Sequence, residues 1–129
     1  KITIWFMLQD PPVVEQHQWG LVDTQYNPKP SYAAYQTLAR QLGEATFLHT
    51  VQADDIMEVY EFHAPDAGRL LLAWSNDGSD HELVVDGAEL VLTDKFGVET
   101  TIRDGDDGLA DGLIHAPVTP SPVYLRIAR

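Results

Sequence analysis

The residues from Trp5 to Leu42 constrain this chain most, because they read as a strand, a loop and a helix that cannot be buried alone. Ile2 to Leu8 (ITIWFML) is apolar on both alternating faces, with Ile2, Ile4, Phe6 and Leu8 on one side and Trp5 and Met7 on the other. A strand with one wet face alternates. A strand apolar on both faces belongs to a parallel sheet covered on both sides. Thr3 and two isoleucines favour strand over helix in so short a run. Gln9 to Asn27 is then a long polar loop, opened by Asp10-Pro11-Pro12, where proline ends the ladder. Long loops that follow a parallel strand often carry function. Pro30 to Leu42 is predicted to be a helix. Pro30 suits its first position, Arg40 its last turn and Gly43 its C′ position. Tyr32, Tyr35, Leu38, Ala39 and Leu42 recur at helical spacing and predict one apolar stripe. Nothing after residue 43 supplies the parallel neighbours that such a βα unit requires.

From Ala45 onward the period of the apolar residues becomes two. Strands are predicted near 45–52, 56–63, 69–75, 81–85, 89–93, 98–103, 112–116 and 123–128. Turn signals separate them, among them Asn76-Asp77-Gly78-Ser79, Asp86-Gly87 and Pro120-Ser121-Pro122. About eight short strands at regular spacing predict an antiparallel β-sandwich. The expected fold class is therefore mainly β (α+β overall). Residues 1–43 are expected to form the last βα unit of a TIM-type barrel, and 44–129 a C-terminal sandwich. Helix and sandwich are expected to pack together.

Composition narrows the function classes. With 20 acidic and 8 basic residues the formal charge is −12, which argues against nucleic acid and anionic membranes as partners. The chain has no cysteine, so disulfide frameworks and thiolate metal sites are excluded. No apolar run approaches the ~20 residues of a membrane-spanning helix. Secreted and cytoplasmic bacterial locations both fit. Lys1 leads directly into an apolar strand, with no initiating Met, as expected of a processed, cleaved or shortened chain. There is no G-x-S-x-G, no Gly-rich phosphate loop and no H-E-x-x-H.

Two groups of motifs carry a resemblance. Trp19-Gly20-Leu21-Val22-Asp23, followed by Pro28-Lys29-Pro30-Ser31-Tyr32 and a helix, resembles the end of the catalytic barrel in clan-A glycoside hydrolases. Leu72-Ala73-Trp74-Ser75, Leu92-Thr93-Asp94-Lys95-Phe96-Gly97 and Pro120-Ser121-Pro122-Val123-Tyr124-Leu125 resemble the small β-domain that follows it. The resemblance implies a C-terminal portion of such an enzyme, with the sandwich buttressing the barrel and no cofactor. The implied partners are a carbohydrate substrate and the remainder of the barrel. The two carboxylates of a retaining enzyme, ~5–5.5 Å apart, would lie on the fourth and seventh strands, outside this chain. No residue here is assigned a catalytic role.

By the same resemblance the eighth strand offers the sugar an aromatic wall. Trp5 is the candidate, with Gln9 and Asp10 at the strand's C-terminal mouth, where barrel sites lie. Each has a plainer reading: Trp5 as barrel core, and Asp10 as the cap of a turn. Trp19 is expected to pack over the barrel rim, and His17 to be a solvated loop residue without a second metal ligand. Trp74 is expected in the sandwich core. Asp104, Asp106, Asp107 and Asp111 do not meet the EF-hand pattern and read as hairpin material rather than a calcium site. A different class of function is a carbohydrate-binding or structural sandwich module, which a row of exposed aromatics on one sheet face would favour. The two apolar faces and unpaired edges of residues 2–8 would recruit other chains, so self-association is expected there.

Overall fold

The computed structural model describes residues 7–12, 18–65 and 68–127. They form one helix, α1 (Pro30–Leu42), and eight strands in the order β1 (Thr46–Ala53), β2 (Met57–Ala64), β3 (Gly68–Ser75), β4 (His81–Asp86), β5 (Glu89–Thr93), β6 (Glu99–Arg103), β7 (Leu113–Val118) and β8 (Val123–Ile127). Helix and strands fall within two residues of the positions predicted from periodicity and turn residues. The strand expected over 2–8 lies, except for Met7 and Leu8, outside the described residues, as does any association through it.

All strand pairs are antiparallel. Six strands make one sheet in the order β1-β2-β3-β8-β5-β6, and β4 pairs with β7 in a second. Alternation within each strand sorts the side chains between faces. On β8, Val123, Leu125 and Ile127 point between the sheets, while Tyr124 and Arg126 point outward. Met57 and Val59, Leu71 and Ala73, Leu83 and Val85, Leu90 and Leu92, and Ile114, Ala116 and Val118 belong to the same inner layer. This is the face-to-face sheet packing expected of a β-rich sandwich. Pro117 is tolerated because the two-stranded sheet has only edge strands.

α1 lies on the outer face of the six-stranded sheet. Leu38 and Leu42 pack against Leu70 and Tyr124, in a cluster separate from the inter-sheet core. The predicted apolar stripe is only partly the docking face. Tyr32 and Ala39 are exposed, whereas the residues buried on the helix are Thr37 and Gln41. Burial of these polar groups is sustained by hydrogen bonds: Thr37 Oγ1 donates to the Ala33 carbonyl at 3.0 Å, and Gln41 Nε2 donates to Thr93 Oγ1 at 3.2 Å. Gly43 also departs from expectation. It stays in the right-handed region (φ −57°) with its N–H on the Ala39 carbonyl, so the helix winds on rather than ending in a left-handed turn.

Candidate functional site

Ahead of α1 the chain is tied into a compact lock. Leu21 and Val22 both donate their N–H to the Leu8 carbonyl, the Asp10 N–H returns to the Val22 carbonyl, and the Lys29 N–H reaches the Leu21 carbonyl. Gln9 and Val22 thus form a parallel bridge, and Val22 and Pro28 an antiparallel one. Inside it lies Asp10, 4% exposed. Its Oδ1 accepts from the Gly20 N–H at 2.7 Å, and both carboxylate oxygens accept from Lys29 Nζ at 3.0 Å. Lys29 Nζ also donates to the Gln18 carbonyl at 2.9 Å. A carboxylate removed from water needs this full set of donors.

The same geometry explains the Trp19-Gly20 pair. A Cβ on Gly20 would stand 2.4 Å from the Asp10 nitrogen and 2.6 Å from the Gln9 carbonyl carbon, so only glycine lets the two segments approach. Leu21 and Val22 then bury their side chains. Asp23 closes the next turn, accepting from the backbone of Gln25 and Asn27 and from the Asn27 amide, which holds its carboxyl below the usual range.

Trp5 and His17 lie outside the described residues. Gln9 is half-buried, and its Nε2 donates to the Thr24 carbonyl at 3.0 Å. Asp10 is committed to Gly20 and Lys29. Trp19 is exposed. Trp74 is a correction: it stands half-buried on the outer face of the sheet, outside the inter-sheet core, because its neighbours Ala73 and Ser75 take the inward positions. Asp104, Asp106, Asp107 and Asp111 each accept a backbone N–H within the segment 103–113. Among the described residues no group of three His, Asp or Glu is arranged to hold a metal ion.

Helix and sandwich do pack together as expected, but sequence reasoning missed the polar side chains that build the seam between α1 and the sheet. Gln41 joins Thr93 on β5 to Arg126 on β8, whose Nε donates to Gln41 Oε1 at 2.7 Å. Gly97 brings its turn against the helix, where an added Cβ would meet Thr37 Oγ1 at 3.1 Å. Arg40 reaches Glu99 at 3.5 Å. The usable signal was Thr37 and Gln41, two polar residues four apart and so on one face of the helix. An open cleft of about 310 Å³ is lined by Leu92, Asp94, Lys95, Phe96 and the Pro117–Val123 segment, and another of about 340 Å³ lies at the C-terminal end of α1. Neither is lined by two carboxylates, so neither assembles an acid pair of the kind sugar hydrolysis uses.

No protein-family model and no curated protein matches the chain. Among solved structures it is similar to a family 39 glycoside hydrolase from the gut symbiont Bacteroides cellulosilyticus WH2, at 25% identity and a TM-score of 0.69. The match takes in 93% of this chain and spans 25% of that one. It supports a relationship to glycoside hydrolases.

Proposed function

We propose that this chain is the C-terminal portion of a glycoside hydrolase of the clan-A kind. Residues 1–43 supply the last strand, loop and helix of a catalytic (β/α)8 barrel, and residues 44–129 form an accessory sandwich that buttresses it through α1. The observation that carries the proposal is the similarity to the family 39 enzyme, which takes in nearly all of this chain and a quarter of that one. The catalytic carboxylates then belong to other parts of a longer polypeptide. In this reading Trp5 and Gln9 face the sugar at the mouth of the barrel. Asp10 acts beside them, holding the loop to Lys29 and so fixing where Gln9 points.

The intact mass of the polypeptide made by the natural source tests this. A chain longer by the ~200 or more residues that a barrel requires supports it. A native mass near 14.4 kDa overturns it, as does glycoside turnover by the pure 129-residue chain. In the longer enzyme, Gln9→Ala is expected to raise KM more than it lowers kcat.

A further inference from the structure

α1 covers only part of the outer face of the six-stranded sheet. Its contacts centre on β3, β5 and β8, with Arg40 reaching Glu99 on β6 and only the Phe62 and Ala64 end of β2 in its cluster. Toward β1 the same face continues beyond the helix as an aromatic strip. Register sets Phe47 opposite Phe62 and Tyr60 opposite Leu72. Ring centroids follow one another at 5.6 Å (Phe62 to Phe47), 6.4 Å (Phe47 to Tyr60) and 5.5 Å (Tyr60 to Trp74). Phe47 is 53% exposed, and the other three are half-buried. The acid within this strip, Glu58, is turned onto the Tyr60 hydroxyl, which donates to it at 2.6 Å. In a chain of formal charge −12, an aromatic surface with its one acid paired internally is a surface meant to be covered.

The rings indicate what covers it. Their planes are inclined at 71°, 56° and 35° to their neighbours, one pair edge against face and two tilted, so the strip offers no common plane across which a sugar chain could lie. A second copy laid sheet to sheet would collide with α1, which stands on the same face. What fits beside a helix on a sheet is another helix, at the ~8–10 Å spacing of packed helices. The strip is also continuous with an interface already formed. Phe62 and Leu72 belong to the cluster in which Leu38 and Leu42 dock.

We infer that a second helix lies beside α1 over Phe47, Tyr60, Phe62 and Trp74, and that it comes from the barrel part of the longer polypeptide. This rests on the function proposed above. It adds that the sandwich grips the barrel by two helices, and that the aromatic strip is a domain seam rather than a sugar platform.

Hydroxyl-radical footprinting of the longer polypeptide tests it, with Val84 (47% exposed) and Leu109 (61%) as internal references. Phe47 is expected to oxidise several-fold more slowly than its exposure here demands, while the references react as theirs demand. Phe47→Ser, at a position exposed enough to leave the sandwich core intact, should raise oxidation of Tyr60 and Trp74 together. Phe47 reacting at its full rate in the longer polypeptide overturns the inference and leaves the hydrolase reading standing. Retention on insoluble polysaccharide that Phe47→Ser abolishes makes the strip a sugar surface, and protection that vanishes on dilution makes it a contact between copies; either overturns it. A native mass near 14.4 kDa removes both readings at once.

Discussion

At the scale of single residues, the lock around Asp10 decides how the loop before α1 holds its shape. The pair is buried on the acid side and partly open on the lysine side, with side-chain exposures of 3% and 27%. Removing the cation leaves a carboxylate in a site closed to water. Lys29→Met is therefore expected to cost roughly 2 kcal/mol, less than a fully buried pair because water can reach the lysine end. Gly20→Ala should cost roughly 1–3 kcal/mol, because the added carbon meets backbone rather than a side chain that can swing away. Urea midpoints of the two variants check both, and wild-type midpoints would show that the lock holds nothing. From sequence, Asp10 was legible only as an acid before proline. Its partner lies nineteen residues on, and no local pattern announces a contact of that span. The motifs Trp19-Gly20 and Pro28-Lys29-Pro30 were legible as a resemblance; their physical cause was not.

At the scale of elements, strands were legible because alternation reports which face is wet, and the helix start because Pro30 suits its first position. The helix face was misread because an apolar stripe is a rule about burial, and Gln41 is buried by pairing instead. Gln41→Leu removes one partner from Thr93 and one from Arg126. It should cost about 1–3 kcal/mol and speed hydrogen exchange in α1 more than in β8; equal acceleration in both would contradict a local seam. Another element-scale link ties the two-stranded sheet to the loop that precedes β7. His115 on β7 bonds through Nδ1 to Glu82 on β4, and its Nε2 lies 3.6 Å from Asp107, in the loop that leaves β6. The Glu82 hydrogen bond, with the nearby acids, holds the imidazole above its usual value of 6.5. A pKa raised by folding contributes stability in full below about pH 6.5, and that contribution is lost as pH rises through the folded value. The urea midpoint should therefore fall as the pH rises above about 6.5, and Glu82→Gln should flatten the fall. An unchanged slope in the variant would assign the pH dependence elsewhere.

At the scale of the whole molecule, the sequence told the class of fold but not the order of strands. Pairing of β8 between β3 and β5 depends on contacts far apart in the chain, and turn residues report only neighbours. That central position has a consequence for how the protein is made. During synthesis β1, β2 and β3 can zip as a meander while β5 and β6 form a hairpin, yet no ladder joins the two pieces until Val123–Ile127 has left the ribosome. Until then Leu71, Ala73, Leu90 and Leu92 lack the strand that carries Val123 and Leu125 between them. Nascent chains stalled with β8 still inside the exit tunnel should be cut by protease throughout, and release of those few residues should confer resistance in a single step. Resistance appearing earlier would mean that β4 and β7 close the core without it. As the last of these eight strands to emerge, β8 thus acts as a keystone, and the apolar halves it joins are exposed to chaperones and to one another for as long as translation pauses before it.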